Sequence, residues 1–267
     1  MSFEASKVNE VKLSDNPIQA SMVLPFFNAK NIAFVAFESL IKQEGVDFKW
    51  ELIIIEEDNK LSFGLDNILK YKDQLKDVGC ARIIYYSIKH WMPLGAKWHY
   101  LFQSCHKDSE VVFCSSADIH QSKHRLKRQF DILKTGEYNW HKISGNIVYD
   151  IETGCHLKIM LEPGRTDTCC QAMRLDLARK FPLNDKAKNV DGFRYRTLEP
   201  YGINFYYDTS DLWKDTVNVN GINNISKHRQ ERILTIQPPL EKCCDSMLSH
   251  IPKDILLRLR NARKHLL

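Results

Sequence analysis

The chain has 267 residues, of which 43% are hydrophobic and 27% charged, the balance of a folded globular protein. That excludes a disordered, collagenous or coiled-coil chain and leaves one large domain or two small ones. The net charge of +5 is mild and spread, which argues against a nucleic-acid binder and suits small ligands that carry phosphate.

Residues 1–19 read as a polar leader with no secretory apolar segment. No apolar run reaches the ~18 residues that a membrane helix needs. The eight cysteines show no CxxC spacing and include the adjacent pairs Cys169–Cys170 and Cys243–Cys244, so reduced thiols in a cytoplasmic protein are expected.

Ala20 to Phe27 (ASMVLPFF) reads as a short buried strand. Asn31 to Gln43 follows as a helix, because Phe34, Phe37 and Ile41 recur at helical spacing with Leu40 beside them, and Asn28 or Asn31 is a suitable N-cap. Trp50 to Ile55 is a β-branched strand that runs into Glu56-Glu57-Asp58. Leu65 to Leu75 is an amphipathic helix, Ala81 to Ser87 a third strand and Lys97 to Cys105 a helix. Glu110 to Cys114 is a fourth strand, which ends in Ser115-Ser116-Ala117-Asp118. His120 to Lys134 is a basic helix with the apolar stripe Leu126, Phe130 and Leu133. This alternation of strand and helix is the pattern of a parallel α/β sheet with crossover helices.

The second half is less regular. Asn146 to Ile151 and His156 to Leu161 resemble antiparallel strands around a turn at Glu152-Thr153-Gly154. Helices are expected at Thr168 to Arg179 and Val190 to Leu198, and a short strand at Ile203 to Tyr207. Ile251 to Leu267 reads as an amphipathic basic helix, suited to packing on the domain, to pairing two subunits, or to peripheral contact with an anionic membrane. No linker separates independent domains.

Ligands of parallel α/β sheets gather beyond the carboxyl ends of the strands. Three such ends are polar here: Pro25-Phe26-Phe27-Asn28, Glu56 to Asp58, and the segment ending at Asp118. Carboxylates in these places accept hydrogen bonds from a base or ribose and ligate a hard divalent cation.

The runs SMVLPFFNA, LIKQ and WELIIIEEDN, followed by VVFCSSADIHQSKHRLKRQFDIL, resemble the GT-A glycosyltransferases of the family-2 type over roughly residues 20–230. The resemblance implies a Rossmann-like, mostly parallel central sheet flanked by helices, with an irregular α+β second half. It divides the chain into a nucleotide-binding half (20–134), an acceptor half (135–235) and a C-terminal helical extension (236–267). It further implies an inverting, metal-assisted transfer of a sugar from a nucleotide-sugar donor, a UDP-sugar, to a glycan or other hydroxyl acceptor. Carried over by position, Pro25, Phe26, Phe27 and Asn28 line the base and Glu57 bonds the base or ribose. Lys97 faces the diphosphate, Ser116 lies beside it, and Asp118 holds Mn²⁺ or Mg²⁺. Arg125, Leu126 and Gln129 match the family's next helix.

The pattern is incomplete. Ser115 and Ala117 stand where acids are usual, so Asp118 is the one acid kept in that segment. Asn218 and Asn220 stand where the family has Arg and His, and His228 is the nearby candidate to supply the missing metal ligand. Asp191 is the candidate general base, an N-cap role for it being the structural alternative. A catalytically degenerate member that binds a sugar nucleotide or a partner protein is the rival reading. A nucleotidyltransferase is disfavoured, because no Gly-rich basic loop follows the first strand.

Overall fold

The computed structural model describes residues 7–150, 156–160, 171–186, 190–210, 216–220 and 257–258. In chain order the first half comprises β1 (Lys7–Lys12), β2 (Ala20–Pro25), α1 (Phe34–Leu40), β3 (Trp50–Glu57), α2 (Leu65–Leu69), α3 (Lys72–Asp77), β4 (Cys80–Ile88), α4 (Leu94–Ser104), β5 (Val111–Cys114), β6 (Ile119–His120) and α5 (Arg125–Lys134). The second half comprises β7 (Trp140–Ile143), β8 (Gly145–Asp150), β9 (His156–Met160), β10 (Gln171–Arg174), α6 (Leu175–Ala178), α7 (Val190–Leu198), β11 (Phe205–Asp208) and β12 (Val217–Asn220).

The main sheet has the order β1-β4-β3-β2-β5-β10-β7-β11. Its centre, β4-β3-β2-β5, is parallel throughout, and every residue of β2 and β3 is buried. Burial on both faces is why these strands read as continuous apolar runs rather than alternating ones. Side chains leave the sheet alternately. Met22, Leu24, Leu52 and Ile54 pack beneath α1, α3 and α5. Val23, Ile53, Ile55 and Cys114 pack beneath α4, α6 and α7. The short helix α1 buries Phe34, Phe37 and Leu40. Seven residues are too few for a helix to hold alone in water, and roughly 1.5–3 kcal/mol per buried side chain supplies what propensity does not.

Several sequence expectations are corrected. Lys7–Lys12, within the stretch read as a polar leader, is an edge strand antiparallel to β4. Neither Asn28 nor Asn31 caps α1, whose N-cap is Ala33 with no side-chain bond. The helix expected at Leu65–Leu75 is two short helices that break at Lys70 and Tyr71. His120 belongs to a strand and its helix starts at Arg125. Within the stretch read as a helix from Thr168, Gln171–Arg174 is a strand between β5 and β7, and of the described residues there only Leu175–Ala178 are helical. The strand β7, paired on both sides by β10 and β11, was not anticipated at all.

A second sheet, β6-β12-β8-β9, stands beyond the carboxyl end of β5. Its Ile147, Tyr149, Val217 and Val219 join the cluster under α1 and α5. The turn expected at Glu152–Gly154 lies outside the described residues, and so does most of the closing helix. Its Arg258 bonds Glu38 of α1 at 3.0 Å. No helix among the described residues is long and apolar enough to cross a membrane.

Candidate active site

Because β2, β3 and β5 are parallel neighbours, their carboxyl ends open onto one rim. Pro25 is level with Ile55 of β3, and Val23 is level with Cys114 of β5. Strands lie about 4.8 Å apart, so the end of β3 and the end of β5 are roughly 10 Å apart across β2. Phe26 to Asn28, Glu57, Ser116 and Asp118 therefore share one edge of the sheet. Asn28 has φ of 49°, in the left-handed region that Asn tolerates better than most residues. This turns the chain sharply away from the sheet just after Phe27.

The two acids that close β3 point to opposite faces. Glu56 faces the α1 side, where its carboxylate accepts the Phe63 and Gly64 N–H groups at 2.8 and 3.0 Å and the Tyr85 hydroxyl at 2.9 Å. Burial raises its carboxyl above the usual range, against those bonds. It fixes the loop after β3. Glu57 faces α4 and is held by Lys97, whose Nζ donates to Oε2 at 2.6 Å and to the Phe26 carbonyl at 2.5 Å. The Met92 N–H reaches Glu57 Oε1 at 3.3 Å. Burial pushes the Lys97 ammonium down from its ordinary value, opposed by Glu57 and Glu56. Lys97, which the resemblance places facing the diphosphate, holds Glu57 and the turn at Phe26 in this structure. The same ammonium lies 5.7 Å from the centroid of the Phe27 ring.

At the end of β5, Ser116 Oγ donates to Asp118 Oδ1 at 2.5 Å. The Asp118 carbonyl accepts the Val219 N–H at 2.8 Å, which ties this segment to β12 of the second sheet. Arg125 locks the base of the segment from below. Fully buried, it donates to the Cys114 and Gln171 carbonyls at 2.6 and 3.0 Å and to the Gln121 and Gln129 side chains.

Asp191 lies in the first turn of α7, inside the helix rather than at its cap. Its charge acts on the Cys114 thiol, which burial raises and the neighbouring Arg194 and Arg125 lower. The start of α7 is thus held near the end of β5. Arg194, one turn on from Asp191, is fully buried. Its guanidinium carbon sits 4.5 Å from the centroid of the Trp98 ring, and its Nη1 is 3.5 Å from Cys114 Sγ. Its Nε and Nη2 have no hydrogen-bond partner among the described residues. No sequence signal marks Arg194; its burial depends on the packing of α4, α6 and α7.

Among the described residues no three His, Cys, Asp or Glu side chains gather to hold an ion, and His228 lies outside the described residues. Asp118 offers a hard oxygen ligand suited to Mg²⁺ or Mn²⁺. An ion that takes its remaining ligands from phosphates and water fits that donor set.

No protein-family model and no curated protein matches this sequence. Solved structures do. A structure of S. aureus TarS 1-349 in complex with UDP-GlcNAc superposes with a TM-score of 0.60 at 11% identity, over 78% of this chain and 60% of that one. Against a second, longer TarS structure the TM-score is 0.51 at 12% identity, and this chain covers 36% of it. The mannosyltransferase PcManGT from Pyrobaculum calidifontis, in complex with GDP-Man and Mn²⁺, gives 0.57 at 9% identity, over 95% of this chain and 76% of that one. The chain thus spans about three fifths of TarS 1-349. At these identities the likeness establishes the fold, which is the GT-A fold that the sequence resemblance implied.

Proposed function

We propose that this chain is a glycosyltransferase that moves a sugar from a UDP-sugar to a hydroxyl acceptor with inversion at the anomeric carbon. The observation that carries the reading is the convergence of Phe26 to Asn28, Glu57 and the Ser116–Asp118 segment on one rim of a GT-A sheet. Similar folds, TarS and PcManGT, are seen with UDP-GlcNAc and with GDP-Man and Mn²⁺, which supports a nucleotide sugar as donor.

In this reading Glu57, oriented by Lys97, accepts a hydrogen bond from a ring N–H of the base. An ionised carboxylate only accepts hydrogen bonds, so uracil and guanine fit, and cytosine or adenine, with a bare ring nitrogen at that edge, do not. Phe27 covers one face of the ring. Asp118 would hold a divalent ion shared with the donor's diphosphate, and such an ion supplies neutralisation of the charge on the leaving nucleotide. Asp191 removes the proton of the acceptor hydroxyl as that oxygen attacks the anomeric carbon from the face opposite the leaving group.

UDP release from a panel of UDP-sugars, with Mn²⁺ and without acceptor, tests turnover. Asp191→Asn is expected to keep donor affinity within about twofold and to lower transfer by roughly 10²–10⁴-fold. Full transfer by this variant removes Asp191 from the role of base. One observation favours a second reading, a binding protein without turnover: Ser115 and Ala117 leave Asp118 as the one acid of its segment. That reading requires UDP binding with no UDP release from any donor.

A further inference from the structure

Trp91 is the most exposed large apolar side chain among the described residues, at 61%. Trp91 follows β4, and its chain neighbour Met92 docks its N–H on Glu57 Oε1 at 3.3 Å. Across the rim, Phe27 follows β2 and is itself 37% exposed. The order β4-β3-β2 places Glu57 between these two aromatic residues. Their strands are two spacings apart, roughly 9.6 Å.

We infer that Trp91 is the second wall of the base site and stacks on the nucleobase opposite Phe27, while Glu57 accepts the ring N–H from below. The inference rests on the donor reading given above and adds a residue that neither the sequence motifs nor the strand-end acids identify. Two exposed aromatic residues with a buried carboxylate braced by Lys97 between them favour a flat heteroaromatic ring that carries an N–H over a sugar or another protein as occupant.

The test compares wild type, Trp91→Ala and Trp91→Phe in calorimetric and fluorescence titrations with uridine, UDP, guanosine and GDP. Because Trp91 is exposed, both variants are expected to fold. Stacking on one base is worth ~1–3 kcal/mol, so Trp91→Ala is expected to weaken the bound nucleoside by roughly 5- to 150-fold, and its diphosphate by the same factor. Trp91→Phe restores affinity to within a few-fold but loses the quenching of tryptophan emission seen in wild type. Unchanged nucleoside affinity in Trp91→Ala, with wild type binding normally, overturns this inference and leaves the donor reading standing. Weakened diphosphate binding with unchanged nucleoside binding also overturns it, by moving the contact off the base. A shift in oligomeric state without a change in affinity assigns Trp91 to a protein contact and overturns it too. If wild type binds none of the four compounds, the donor reading falls together with the inference.

Discussion

Lys97 and Glu57 form a buried ion pair 2.6 Å long at the carboxyl edge of the central sheet. Its two side chains are 3% and 6% exposed, so neither charge has water to fall back on. Removing one partner strands the other, which typically costs about 3–5 kcal/mol. Lys97→Met and Glu57→Gln are each expected to lose stability on that scale or a little below it. The double variant should lose clearly less than the sum. Urea unfolding of the four proteins measures the coupling, and a coupling near zero contradicts the pair's assigned role.

Arg194 presents the opposite balance. Its guanidinium is buried over Trp98 with two nitrogen atoms unpartnered among the described residues. The cation–π contacts return up to ~2 kcal/mol, while an uncompensated buried charge costs more. Arg194→Met keeps the volume and removes the charge, so it is expected to raise stability by about 1–2 kcal/mol. Under the proposed function, a polar group buried at a cost in stability is the expected trade of stability for activity, and the same variant is expected to slow UDP release. Thermal unfolding and UDP release, read side by side, check both halves.

A pH dependence of stability comes from a polar network between α5, β7 and β11. Arg125 donates to Gln129 Oε1, so the Gln129 amide nitrogen donates to His141 Nδ1 at 3.0 Å, and His141 Nε2–H donates to Asp208 at 3.1 Å. Arg128 also grips Asp208, with contacts of 2.5 and 3.1 Å. Burial holds His141 below its ordinary 6.5, against the pull of Asp208. Burial alone would raise Asp208, but bonds from His141, Arg128 and Ser210 hold it well below its ordinary 3.8. In both cases the unfolded chain binds the proton more readily, so stability rises with pH. It is complete above about 6.5 and is lost first through His141 as pH falls, then through Asp208 below about 3.8. Urea midpoints between pH 7 and pH 5 should fall in wild type and flatten in His141→Gln. A flat wild-type profile contradicts this.

Much of the fold was legible because its central strands are buried on both faces. ASMVLP, WELIII and ARIIYY announce themselves by composition, and the polar strand ends at Phe27-Asn28, Glu57 and Asp118 follow from parallel topology. Two other strands of the same sheet, β1 and β7, were not legible. In KVNEVK, Val11 faces the core while Val8 is exposed, so no alternation betrays a strand. In WHKI, the buried His141 and Lys142 are tolerated only because Asp208, Gln129 and a set of aromatic rings surround them. Ring contacts to Lys142 come from Phe205, Tyr195 and Trp140, two of them on elements distant in sequence. For the same reason the tie between Lys97 and Glu57, the isolation of Arg194 and the place of Trp91 could not be read from spacing. Each depends on which helix crosses which strand end.

The most direct measurement is calorimetric titration of the wild-type chain with UDP in the presence of Mn²⁺, repeated with Glu57→Gln and with Asp118→Asn. Saturable binding is expected in wild type. Glu57→Gln should weaken it with or without the ion, and Asp118→Asn only when the ion is present. No heat from wild type with UDP or GDP, with Mn²⁺ or without it, would contradict a nucleotide-sugar site at this rim.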